Sequence, residues 1–193
     1  MHATTRGHER PTYRPVKLNR QSLRHLFITE EASLDLLKPL FEACKRYYKQ
    51  SLVITDLDIS PVQTNSYQLI PRAKSAQFVA SLVKGQLTRT TIYIAGTEGF
   101  MWDIQNLVLK SGIGKESIRM FEPISDTRRV ICTHCFTVMD NINHRTTQCT
   151  GCQRMLEVQN KFSELHAAYS GVQLKFDPQQ SELVRPRPTS KLF

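Results

Sequence analysis

Two Cys-x-x-Cys pairs, Cys132 with Cys135 and Cys149 with Cys152, stand thirteen residues apart and hold four of the chain's five cysteines. Two residues between paired cysteines let both sulfurs of a tight turn face one ion, and the segment between the pairs supplies a hairpin. The spacing predicts a structural zinc ribbon with Cys132, Cys135, Cys149 and Cys152 as ligands. Such a site is closed and leaves no open position for a catalytic water. Gly151, in CTGC, is expected to give the second turn its permissive backbone. A single-iron centre is the competing ligation, although neither pair has the Cys-Pro-x-Cys-Gly form. His134 lies between paired ligands and His144 at the expected hairpin tip, so both are read as non-ligating, and Asp140 and Arg145 as solvated.

A chain of 193 residues can bury one good core and carry a small second module. No apolar run reaches membrane-spanning length, and the first twenty residues are polar, basic and contain two prolines. Neither a transmembrane helix nor an export signal is expected, which places the chain in the cytoplasm, where paired cysteines serve metals rather than disulfides. Cys44, the fifth cysteine, is expected in a helix core. The formal net charge of +9 raises nucleic acid as a partner. Six Lys or Arg against one Glu fall in the first 24 residues, and RPRPTSKLF closes the chain. Much of the excess therefore belongs to tails, which suits protein docking better than a phosphate footprint.

Between the tails, strand and helix patterns alternate. LRHLFIT (residues 23–29) suits a buried strand, and EEASLDLLKPLFEACKRYYKQ a helix with a kink or break at Pro39. Strands are expected at 51–59, within NSYQLIP, at 91–96 and at 117–123. Helices are expected at 75–84, ended by Gly85, and from Thr97, as N-cap, to Gly112 or Gly114. This order predicts an α/β fold: a mostly parallel sheet with helices on both faces, followed by the zinc ribbon. After the second cysteine pair, MLEV reads as a strand, followed by a helix with Phe162, Leu165, Ala168 and Tyr169 on one face. The expected divisions are a basic flexible tail over 1–20, the α/β unit over 21–125, the ribbon with its helix over 126–173, and a tail over 174–193.

IYIAGTEGFMWDIQNLVLKSGIGKESIRMFEP resembles the end of the nucleotide-binding domain of ferredoxin-NADP reductase-like proteins. Tyr93, Gly96, Phe100 and Met101 match that family's pattern, whereas Ala95 and Thr97 stand where it has Cys and Pro. The first turn departs further. Thr29, Glu30, Glu31, Ala32 and Ser33 replace the glycine-rich loop whose N–H groups cradle a pyrophosphate. Side chains fill that space, and the two carboxylates are expected to satisfy the helix end themselves. The expectation is a retired dinucleotide fold used as scaffold.

With CTHC, CTGC, KFSELHAAYSGV and the basic N-terminus added, residues 20–173 resemble the small subunits of bacterial dimethylamine monooxygenase, the DmmA-like proteins. The resemblance implies membership of an NADPH-dependent complex that uses O2 to demethylate dimethylamine to methylamine and formaldehyde. It also implies that NADPH, FMN and iron-sulfur groups sit on a reductase-like partner subunit, and haem on an oxygenase partner subunit. No catalytic or cofactor-binding residue is expected in this chain. A zinc-ribbon adaptor for nucleic acid is the alternative, with Arg128, Arg129, Arg145 and Arg154 available but only Phe136 as a close aromatic. The carboxylate pairs Glu30–Glu31 and Asp56–Asp58 are read as capping and loop groups rather than acid-base catalysts.

Overall fold

The structure, a computed structural model, describes residues 10–84 and 89–174. Gly85, the expected end of the second helix, residues 1–9 of the first expected tail and all but residue 174 of the last one lie outside these residues. The first part of the chain builds β1 (Arg24–Glu30), a 3-10 turn at Glu31–Ser33, α1 (Leu34–Ala43), β2 (Tyr48–Thr55), β3 (Val62–Gln63) and β4 (Gln68–Pro71). It continues through α2 (Arg72–Val83), β5 (Thr90–Ala95), α3 (Glu98–Lys110) and β6 (Ile118–Met120). These strands form one sheet in the order β3-β4-β2-β1-β5-β6, parallel except for β3.

Both faces of this sheet are buried, which is why β1 and β5 read as continuous apolar runs rather than alternating ones. Leu26, Ile28, Ile92 and Ile94 point to one side, against Val79 and Val83 of α2 and Met101, Ile104 and Val108 of α3. Phe27, Tyr93 and Ala95 point to the other, against Leu37 and Phe41 of α1 and against Val16 and Leu18. Each fully buried Leu, Ile, Val, Met or Phe among them contributes about 1.5–3 kcal/mol relative to exposure. Cys44 is fully buried in the second cluster, one position beyond the end of α1.

Three expectations change here. The helix after β1 was expected to run to residue 50, but α1 stops at Ala43 and β2 begins at Tyr48, because pairing with β1 from Arg24↔Tyr48 onward claims those residues. Lys49 still serves the helix end from β2: its Nζ donates to Phe41 O at 3.2 Å. Pro39 lies inside a single α1 rather than dividing it. The expected flexible tail is packed where it is described: Tyr13, Val16 and Leu18 join the two cores.

The second part contains β7 (Arg128–Cys132), β8 (Val138–Ile142), β9 (Thr146–Gln148), β10 (Met155–Ser163) and β11 (Ala168–Gln173). The order is β8-β7-β11-β10-β9, with β7 and β11 parallel and the other pairs antiparallel. The helix expected across Phe162–Tyr169 is therefore a correction: these residues end β10, turn, and begin β11. Phe162, Ala168 and Tyr169 are buried as foreseen, but Leu165 is 75% exposed in the turn. Apolar spacing of three and four arose from a hairpin whose turn interrupts a period of two. No helix among the described residues is long and apolar enough to cross a membrane.

Candidate metal centre and the crevice of the parallel sheet

The cysteine pairs sit on two matching knuckles, one joining β7 to β8 and the other joining β9 to β10. In the first, Phe136 N–H donates to Cys132 O at 2.9 Å, and Cys132 N–H to Thr137 O at 3.0 Å. In the second, Gln153 N–H donates to Cys149 O and Cys149 N–H to Arg154 O, both at 2.9 Å. The residue after each pair is left-handed, Phe136 at φ 58° and Gln153 at φ 60°. That conformation costs a non-glycine residue about 1–2 kcal/mol, and ligation of an ion would offset it.

Gly151 has a different reason from the one expected. Its φ is not left-handed; the space is the constraint, since a Cβ would run into Thr137 Oγ1 and stand 3.3 Å from Cys135 Sγ. Thr137, which sequence reasoning passed over, lies with its Oγ1 3.2 Å from Cys135 Sγ.

Cys132 and Cys152 place their sulfurs 3.8 Å apart, Cys135 and Cys149 3.5 Å apart, and all four lie within 4.8 Å of one another. A tetrahedral Zn(S)4 centre with Zn–S near 2.3 Å needs sulfurs separated by about 3.8 Å. The donor set fits that geometry with neither His134 nor His144. The Thr137 hydroxyl and N–H stabilise the Cys135 thiolate and hold its pKa down to about 6. The Cys152 and Gly151 N–H groups lower that of Cys149. Against the N–H of Arg154, burial and the neighbouring sulfurs push Cys152 up to about 11. Four clustered sulfurs resist ionising together, and a divalent cation is what would let them.

The second site lies at the carboxyl ends of the parallel strands, where β1 and β5 adjoin and the chain winds away in opposite directions. This is where open α/β sheets bind ligands. A cavity of about 510 Å³ opens there beside Glu30, Asp56, Arg72 and Thr97. The Glu30 carboxylate is buried, 6% exposed. Its Oε2 accepts the Thr97 N–H, and its Oε1 accepts Arg72 Nη2 at 2.7 Å. Arg72 also holds Asp56, and this pair, then Glu30, raises the guanidinium pKa further. Glu30 thus places an anion at the N-terminus of α3, where the dipole favours negative charge. Gly96 permits the approach, because a Cβ there would stand 2.6 Å from Glu30 Oε2. Thr97 occupies the expected N-cap position of α3, and two details differ from expectation. Its side chain makes no cap. Glu31 is exposed, and Glu30 serves α3 rather than the helix that follows it.

Residues 129–172 match the family described as dimethylamine monooxygenase subunit DmmA-like, C-terminal domain. The segment is therefore called the DmmA-like domain, after the family it is similar to. The heme-dependent oxidative N-demethylase delta subunit of Ectopseudomonas mendocina (strain ymp) is 35% identical to this chain over 79 residues. That match covers 41% of this chain and 45% of the relative, so the chain spans less than half the length of the curated relative it matches. Among solved structures, the ferredoxin reductase in carbazole 1,9a-dioxygenase, FAD apo form, is similar over 58% of this chain and 35% of its own, at 17% identity and a TM-score of 0.45.

The DmmA-like domain does not close its core alone. Trp102 of α3 enters it, its ring tilted against Phe162 at 5.2 Å between centroids. The Trp102 Nε1–H donates to Tyr13 Oη at 3.0 Å, and Tyr13 donates to Glu98 Oε1 at 2.8 Å. Burial, then the Glu98 carboxylate, pushes the Tyr13 phenol up. Arg129 ties the junction from outside, bound to Asp103 of α3 at 2.6 Å and Asp140 of β8 at 2.7 Å. Asp140, expected to be solvated, is therefore paired. The signal for Tyr13 was present in TYRPVKL, whose Tyr13, Val16 and Leu18 supply an apolar face inside a basic segment. Nothing local marked Glu98 or Arg72.

Proposed function

We propose that this chain is a zinc-pinned, non-catalytic docking subunit of an oxidative N-demethylase, specifically of an NADPH-dependent dimethylamine monooxygenase. The observation that carries the reading is the convergence of four sulfurs inside the residues that match the DmmA-like domain. The relative named as the delta subunit of a heme-dependent oxidative N-demethylase supports membership of such a complex. Cys132, Cys135, Cys149 and Cys152 would hold the zinc, which supplies a closed structural cross-link rather than a reacting position.

The parallel sheet then acts as scaffold. Glu30 already meets Arg72 and the start of α3, so a pyrophosphate approaching the crevice would face a buried carboxylate where its own charge would have to sit. NADPH, FMN, the iron-sulfur group and haem belong, in this reading, to a reductase-like subunit and an oxygenase subunit docked against this chain in the cytoplasm.

Affinity-tagged chain recovered from amine-grown cells tests this directly. The expected result is one zinc per chain, together with an iron-sulfur flavoprotein and a haem protein. NADPH should leave the melting temperature of the isolated chain unchanged, because a ligand that does not bind cannot shift unfolding. Recovery without those partners, or a concentration-dependent rise in melting temperature with NADPH, would overturn it.

A further inference from the structure

We infer that the DmmA-like domain carries a docking cleft for an acidic polypeptide segment of a partner protein. The inference concerns this chain's own surface and stands whichever subunits it joins. A cleft of about 560 Å³ opens where the β8–β9 turn, the start of β7 and the middle of β10 face one another. Three guanidinium groups line it, from Arg10, Arg128 and Arg145, with His144 beside them. Arg145 lies four residues before Cys149, about 13 Å along an extended strand, so the cleft is separate from the sulfurs.

These cations are poorly satisfied within the chain. Arg10 reaches Asp126 only at 3.5 Å, and Arg145 reaches Glu157 only at 3.8 Å. The side chains of Asp126 and Arg145 are almost wholly in solvent, at 101% and 87% exposed. Pairs of that kind are worth about 0–1 kcal/mol, so an incoming carboxylate displaces them at little cost. Arg128 is held ready instead: its guanidinium lies 4.9 Å from the centroid of the Tyr169 ring, and Nη1 donates to Asn160 Oδ1 at 3.1 Å. Its remaining donors form a fork that suits a carboxylate in two-point contact.

The occupant is argued from charge and from what the walls lack. Nucleic acid would bring a continuous line of phosphates and bases in need of aromatic platforms. Asp126 and Glu157 interrupt the positive surface, and the Tyr169 ring is fully buried beneath Arg128. Among the other arginines of the domain, Arg129 is neutralised by two carboxylates, and Arg154 donates to Gln173 Oε1 at 2.6 Å. Separated guanidiniums with amides between them match spaced Glu or Asp side chains and a peptide backbone.

The test is fluorescence anisotropy of the full-length, metal-loaded protein with a labelled peptide of alternating Glu and Ser. A matched Gln-Ser peptide and single-stranded oligothymidylate serve as the other probes. The Glu-Ser peptide should bind at low salt and the Gln-Ser peptide should not. Arg128→Gln with Arg145→Gln should weaken binding about tenfold, and Arg154→Gln should leave it unchanged. Arg145→Gln alone, at a solvated position, should weaken binding with the melting temperature unaltered, which decides the matter if the double variant misfolds. Absence of binding, equal binding by the Arg145 variant, or tighter binding of oligothymidylate than of the peptide would each overturn the proposal.

Discussion

The two sheets of this chain hold themselves together in different ways. The parallel sheet buries both faces under helices, with a continuous aliphatic layer from Leu26 to Val108 on one side and an aromatic layer around Phe27 and Tyr93 on the other. The DmmA-like domain has a thinner interior, counts Cys132 and Cys149 among its buried residues, and borrows Trp102 from its neighbour. Area removed from water stabilises the first. The second buries less of its own surface, as small modules do, and draws on a loaned side chain and, in the proposed reading, on a metal cross-link.

The sharpest way to break this contrast is to remove the metal proposed for the four cysteines. Structural zinc binds small modules with apparent free energies of about 10–16 kcal/mol, more than so thin a core replaces. Cys132→Ser, or a chelator, should abolish amide protection across β7 to β11 while β1, β2 and β5 keep theirs in hydrogen exchange. Equal loss in both sheets would show that they fold as one unit.

Tyr13→Phe tests the seam between them. It leaves the Glu98 carboxylate and the Trp102 N–H without their shared partner, at a cost of about 1.5–3 kcal/mol. Urea unfolding should show the loss, and adding Trp102→Phe should cost less than the sum of the two single changes.

Within the parallel sheet, Glu30→Gln keeps the shape but removes the charge that Arg72 and Thr97 meet. About 1–2 kcal/mol should go, measured by thermal unfolding, with the DmmA-like domain unaffected in the same exchange experiment.

Asp56→Asn should have the smallest effect, below about 1 kcal/mol, because the pair with Arg72 is largely solvated. Its hydrogen bond to Arg72 lowers the Asp56 pKa. The contribution is therefore complete above the ordinary carboxylate value of about 3.9 and fades as pH falls through the lowered one. The melting temperatures of wild type and variant should converge on acidification.

What the sequence made legible follows from how local each feature is. The four sulfurs were visible because ligand spacing is written in consecutive residues, and the alternation of strands with α1, α2 and α3 because apolar periodicity is local too. The segment from Phe162 to Tyr169 misled because a turn inserted into a period of two imitates a helical face. Glu30 was singled out correctly for its position, but the group it satisfies belongs to α3, 67 residues away, and only parallel pairing of β1 with β5 brings them together. The same holds for Tyr13 and Glu98, 85 residues apart. Gly151 was noticed for a backbone freedom it does not use; the constraint comes from Thr137 on the opposite knuckle.

The parallel pairing of β7 with β11 seats the last strand of the sheet between two strands that precede it in the chain. All four cysteines precede that strand too, so a chain ended before Ala168 already contains both halves of the thiol cage but not the strand that lies between β7 and β10. With the proposed metal bound, a chain truncated there would present a loaded cage beside an open slot.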